Sequence, residues 1–195
     1  MHGNSLWNRG VALAMTALLT GMMLTTGCAT TRGAAKKTPA KPELTLAENG
    51  EAKAAIVVGA NASPSTRHAA EELQKFLGQI TGASFELITD SEPVRPSEII
   101  VGANDRIYGL NLSVDLQRFG PEGYVLLTKG KNLLIAGGEP RGTLYGVYGL
   151  LEDHLGCRWF TPTVSTIPKA ATLKVEHLDE RRMPALEYRE PFVMD

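Results

Sequence analysis

The chain has 195 residues, a formal net charge of −1 and 43% hydrophobic residues. That length suffices for one ordinary domain with extensions. The composition is globular, and no basic face dominates, which argues against a nucleic-acid partner.

The first 28 residues read as a secretory signal. Arg9 supplies the positive start, Val11 to Leu24 is apolar and uncharged, and Leu24-Thr-Thr-Gly-Cys28 closes the segment. The apolar run is too short for a comfortable membrane span. Its end resembles a bacterial lipobox, with Thr25 where Leu is usual and Leu24 one place further back. The resemblance implies acylation at Cys28 and a membrane partner through the lipid anchor. It places the protein at the cell envelope, on the outer membrane or cell surface; ordinary secretion is the alternative. Each buried acyl methylene contributes about 0.8 kcal/mol to such an anchor. With Cys28 acylated, Cys157 stands alone and forms no intrachain disulfide. Beside Gly156 and Trp159, it reads as a buried structural thiol. Residues 29–43, with Lys36-Lys-Thr-Pro-Ala-Lys-Pro42, read as a solvated linker.

Leu44 to Leu46 and Ala54 to Val58 read as strands separated by the turn Asn49-Gly50. Ser63-Pro64 opens a helix that buries Ala69, Leu73, Phe76, Leu77 and Ile80 and stops at Gly82. Glu71 and Lys75 stand at i, i+4 spacing on its wet side. Phe85 to Ile88 and Glu98 to Val101 are further strands. Residues 102–121 read as irregular. Gly123 to Thr128 and Asn132 to Ala136 form a hairpin with its tip at Lys129-Gly-Lys131.

A second helix follows, from Pro140 to Gly156. Leu144, Val147, Tyr148, Leu151 and Leu155 mark one stripe and Gly142, Gly146 and Gly149 another. Each interior glycine costs about 1 kcal/mol relative to Ala. Three on one stripe predict a second body pressed against that side, the leucine side lying on the domain's own sheet. After Thr172 to Val175, residues 179–183 read as a charged connector. Residues 184–195 begin a new extended segment, and a lone strand is not independently stable. The chain therefore reads as the front of a longer protein. The expected fold is α+β: a two-layer sandwich over residues 44–178, with a mixed β-sheet of about six or seven strands and two helices on one face.

Chemistry-bearing motifs are sparse. Gly137-x-x-x-x-Gly142-Thr143 has the spacing of a phosphate loop, but the Lys is missing and Pro140 removes an N–H, so a tight strand-to-helix turn is preferred. His2, His68, His154 and His177 form no ligand pair, so no metal site is expected; His68 and His154 read as solvated. No cofactor is expected. Glu152-Asp153, Asp90-Ser-Glu92 and Asp105 offer carboxylates, none marked as a facing pair for glycoside hydrolysis. No catalytic residue is assigned. Arg141, Arg158 and Trp159 form a polar-aromatic group; the Arg158-Trp159 pair either stacks on a sugar ring or plugs the domain edge.

Three passages carry a family resemblance: Ala69-Ala-Glu-Glu-Leu-Gln-Lys-Phe-Leu-Gly-Gln-Ile-Thr-Gly-Ala83, Gly120-Pro-Glu-Gly-Tyr-Val-Leu126 and Asn132 to Glu152. Together they resemble the small N-terminal domain, chitobiase domain 2-like, of family 67 α-glucuronidases and family 20 β-N-acetylhexosaminidases. Leu155-Gly-Cys-Arg-Trp-Phe-Thr-Pro162 is closest to the form found in bacterial glycosidase-like lipoproteins. The resemblance implies an accessory domain lying against a catalytic (β/α)8 barrel of the same polypeptide. That barrel would begin within residues 179–195 and act on a glycan substrate, the fragment alone being non-catalytic. It also implies that Arg189, in Pro184-Ala-Leu-Glu-Tyr-Arg189, binds the terminal sugar. Glu190-Pro191 departs from the family pattern at that point. A non-catalytic carbohydrate-binding lipoprotein and a purely structural surface module are the alternatives.

Overall fold

The computed structural model describes residues 43–110, 112 and 114–186. β1 (Glu43–Glu48) and β2 (Glu51–Ala52) are joined by a two-residue turn at Asn49 and Gly50, with φ of 53° and 80°. Both residues are left-handed, which the tight hairpin turn requires. β3 (Ala55–Val58) leads to α1 (Pro64–Thr81), where Ser63 caps the N-terminus by accepting from Thr66 N, and Gly82 at φ 74° ends it. β4 (Leu87–Thr89), β5 (Glu98–Val101) and a short helix α2 (Asp105–Gly109) follow, then a 3-10 turn at Leu116–Phe119. The hairpin of β6 (Tyr124–Lys129) and β7 (Asn132–Gly137) precedes α3 (Gly142–Gly149). α3 continues as one π-helical turn, Leu150–His154. β8 (Arg158–Thr161), β9 (Val164–Thr166), β10 (Leu173–Glu176) and β11 (Asp179–Arg182) complete the described residues.

The main sheet has six strands in the order β11-β6-β7-β5-β3-β4. β4, β3, β5 and β7 run parallel; β6 is antiparallel to both its neighbours, β7 and β11. β3 and β5 are buried along their whole length, as parallel strands covered on both faces are. Period-two alternation divides their side chains. Ile56, Val58, Ile99 and Val101 face the core shared with α1 and α3, whereas Ile100 and its neighbours Leu134 and Ala136 on β7 meet Ile107 and Phe119 on the other side. β10-β1-β2 form a smaller sheet and β8-β9 a separate hairpin.

The mixed sheet with two principal helices on one face matches the expected α+β sandwich. Some features differ. Residues 102–121 are not wholly irregular: α2 and the 3-10 turn bring Ile107 and Phe119 onto the second face. Five residues are too few to show helical periodicity. The charged connector at 179–183 is largely β11, so the domain continues past residue 178. Lys75 pairs with Glu72 at 2.9 Å, not with Glu71.

Glu98, 2% exposed, is the most deeply placed charge described, and its partners explain that position. Arg106 Nε donates to both its carboxylate oxygens, at 3.3 and 3.1 Å. The same guanidinium reaches the carbonyls of Asp90 and Glu92, and Glu98 also accepts from Arg95 N. A buried carboxylate is tolerable only when so fully paired.

Candidate docking face around the glycine-striped helix

The turn between β7 and α3 is built by backbone contact. A β-carbon on Gly138 would lie 1.6 Å from Gly120 O, and one on Gly142 would lie 2.3 Å from Gly123 O. Gly137 N donates to Thr143 Oγ1 at 3.1 Å. The Gly137-to-Gly142 loop therefore packs on its own domain and cradles no phosphate. The N-terminus of α1 is also occupied. The Glu139 carboxylate accepts from Ser63 Oγ and Thr66 Oγ1, both at 2.9 Å, so an internal anion already fills the end of the helix that would favour one.

The glycine stripe corrects the sequence reading. A β-carbon on Gly146 would meet Ile135 Cγ2 at 3.1 Å and Tyr124 Cβ at 3.3 Å; one on Gly149 would meet the Tyr124 hydroxyl at 2.4 Å. The glycines lie on the domain's own β6 and β7, not against a second body. The reason is angular. Thr143 and Leu150, which lie between the glycine and leucine stripes on the helical wheel, are buried as well. The two stripes are flanks of one wide buried arc. The outward side carries Arg141 and Tyr145, with Leu144 and Tyr148 half-buried at its border. At the start of α3, Arg141, Glu122, Phe119, Pro121, Met183 and Pro184 line a groove of about 580 Å³. Arg141 and Glu122 form an ion pair at 3.0 Å there.

Trp159 is a plug. Its ring meets Phe76 at 5.2 Å and Tyr148 at 5.1 Å between centroids, both edge to face. Arg158 is turned back onto the carbonyls of Glu152 and Cys157. Tyr148 donates to Glu72 at 2.8 Å. Burial and then the Glu72 carboxylate push its phenol up to about 12. Burial alone would raise Glu72, but hydrogen bonds from Lys75 and Tyr148 outweigh it and hold the carboxyl below its usual range.

The remaining candidates are structural. Asp90 accepts from Ala60 N at 2.9 Å and from Asp105 N at 3.2 Å, and the Ala60 bond leads in holding its carboxyl low. Glu152 faces Arg158 and Asp153 binds Arg182, so the two adjacent carboxylates do not converge. Cys157 is fully buried and free, and burial pushes its thiol up, as expected of a structural rather than reactive cysteine. His68 is exposed, but His154 is not solvated as read from the sequence: its Nε2 is buried 3.2 Å from Glu180 Oε1. Among the described residues no three His, Cys, Asp or Glu side chains group to hold a metal ion. Cys28 and Arg189 lie outside the described residues. Tyr124, Glu139, Glu180 and Arg182 went unnoticed in the sequence, because their partners are distant along the chain and no short motif joins them.

Residues 42–150 match the model of the glycosyl hydrolase family 67 N-terminus. The chain belongs to that family. This family 67 N-terminal domain also resembles a portion of a solved family GH115 4-O-methyl-α-glucuronidase with specificity for decorated arabinogalactans. The TM-score is 0.51 at 16% identity, over 74% of this chain and 19% of that one. The likeness establishes a common fold, and the chain spans about a fifth of that enzyme's length. A second solved structure, CpGH84D, gives a TM-score of 0.40 at 14% identity, over 71% of this chain and 22% of that one. No curated protein matches the chain.

Proposed function

We propose that this chain supplies the N-terminal accessory domain of an envelope-anchored glycoside hydrolase in polysaccharide degradation, α-glucuronidase-like or β-N-acetylhexosaminidase-like. The observation that carries the reading is the family match across residues 42–150. The fold is shared with a portion of a 4-O-methyl-α-glucuronidase, which favours the first of the two classes. The domain packs against a catalytic barrel of the same polypeptide, and the barrel holds the acid and base. Cys28 bears the lipid anchor, and Arg189 contacts the terminal sugar through a bidentate guanidinium suited to vicinal hydroxyls or a uronate carboxylate.

The surface offered to the barrel is the outward side of α3, not its glycine stripe. Tyr145 is 37% exposed there, and the groove beside Arg141 runs to Met183, which is 64% exposed. Large exposed apolar side chains next to a groove suit a protein neighbour better than bulk water.

The test is hydrolysis of aryl α-glucuronides and aryl β-N-acetylhexosaminides. Residues 29–195 alone should release no aryl alcohol, while a polypeptide joining them to the proposed barrel, the whole product in this test, should turn over one of the two substrates. Turnover by residues 29–195, or none by the whole product, would overturn the reading. The rival reading, a sugar-binding lipoprotein, predicts glycan binding by residues 29–195 alone.

A further inference from the structure

Two adjoining hollows run along the carboxyl ends of the parallel strands. The first, of about 450 Å³, lies between α2 and the 3-10 turn; the second, of about 460 Å³, lies between that turn and the start of the Gly137-to-Gly142 loop. Ala103, Leu116 and Gln117 border both, so the two form one open furrow. Each has the volume of a small-molecule site, about 300–1,000 Å³. The winding of the sheet sets the place. β3 leads through α1 to β4 on one side, whereas β5 leads through α2 to β6 and β7 on the other. Open α/β sheets take ligands outside the carboxyl ends of their strands, where the winding reverses.

The lining narrows the ligand. Asp105, Asp115 and Glu139 are its charged side chains, and no Lys or Arg lines either hollow, which disfavours an anion. The backbone beside the second hollow is already committed. Gly138 N donates to Gly123 O, Gly138 O accepts from Gly142 N, and Pro121 O accepts from Arg141 N. An extended peptide would find no ladder to join there. Recognition therefore falls to side chains. Tyr108 is 82% exposed at the rim. Its hydroxyl, the Asp105 carboxylate and the Gln117 amide have no hydrogen-bond partner among the described residues. Ala103, Leu116 and Pro121 add apolar surface. A tyrosine ring is apolar with a polar tip, and it stands here among unused donors and acceptors. A pyranose has the matching character, an apolar C–H face with a rim of hydroxyls.

We propose that this furrow binds a neutral oligosaccharide chain, with Tyr108 as the stacking platform and Asp105 and Gln117 as partners for sugar hydroxyls. The site deepens the proposed function and rests on it for the polysaccharide that the chain meets. Gly120 and Pro121 border both the furrow and the groove beside Arg141, so a sugar chain held here leads onto the docking face. The furrow thus holds an uncharged stretch of polymer next to the proposed barrel.

The experiment is an NMR titration of the full chain with three neutral hexasaccharides: cellohexaose, xylohexaose and β-1,3-galactohexaose. At least one should shift the amides of Ala103, Asp105, Tyr108, Gln117 and Gly138 saturably. Hexagalacturonate should bind more weakly by about tenfold or more, because like charges then face one another. Tyr108→Ala and Gln117→Ala should each weaken the neutral chain about five- to tenfold, the usual loss when one anchoring contact is truncated. Saturable shifts from none of the three, shifts confined to another face, or undiminished binding in both variants would overturn the proposal. Tighter binding of a neutral decapeptide of Gly, Ser and Thr at the same amides would overturn it in favour of a peptide. Should the variants fail to fold, the amide map of the unaltered chain and the hexagalacturonate comparison decide. Turnover by the joined polypeptide without binding here ends the furrow and leaves the glycosidase reading standing; binding here without turnover does the reverse.

Discussion

Gly146 sits where α3 crosses β7, and its missing side chain sets the distance between helix and sheet. A β-carbon there would come 3.1 Å from Ile135 Cγ2, and anything longer would enter the Tyr124 ring as well. Gly146→Leu should therefore destabilise the domain itself by about 2–3 kcal/mol, the usual scale for overpacking a filled site. The check is the urea midpoint of the chain, with the slope of the transition compared to confirm two-state behaviour. An unchanged midpoint would return the glycine stripe to the surface. The stripe could be found in the sequence, but its direction could not. Small residues announce a close approach without naming the body that approaches, and only the burial of Thr143 and Leu150 between the stripes joins them into one inward arc.

Between elements, the firmest polar tie from α1 to α3 is the hydrogen bond from Tyr148 to Glu72, set in a border of aromatic rings. Its phenol is raised to about 12 in the folded chain, against about 10 for an unperturbed tyrosine. A raised value means that folding favours the neutral phenol. The stabilisation is complete below about pH 10 and is lost as pH rises through about 12. Tyr148→Phe should lower the melting temperature at pH 8 and flatten its fall between pH 10 and 12; a steep fall persisting in the variant would place the alkaline sensitivity elsewhere. Elements were legible in proportion to their apolar content. α1 was readable from cap to stop because Ser63, Pro64, five core positions and Gly82 agree with one another. β11 was not, because Asp-Glu-Arg-Arg has no apolar alternation. An edge strand made of charges resists pairing with other chains, and it conceals itself from pattern reading for the same reason. The hairpin β8–β9 escaped because its exposed Phe160 and Val164 offered no consistent inward face.

At the scale of the molecule, the sequence motifs that led to the family lie in α1, the β6–β7 hairpin and α3, the same elements that build the principal core. The resemblance therefore reports packing. The candidate docking side was missed because it is defined by what protrudes, and exposed residues carry little periodic signal. Tyr145→Glu tests it. The change should leave the stability of this chain within about 0.5 kcal/mol, as surface substitutions do, and should weaken association between this domain and the proposed barrel supplied as a separate chain. A large loss of stability in this chain alone would mean that Tyr145 serves the core instead.

The small sheet has a mechanical consequence. β1 runs antiparallel to β10 so that Glu43, at its start, lies opposite Glu176, at the end of β10. A tug on the segment preceding Glu43 would load that ladder from its open end. Pulled across the strand direction, its rungs would separate in succession, as in a zipper, from the Glu43–Glu176 pair inward.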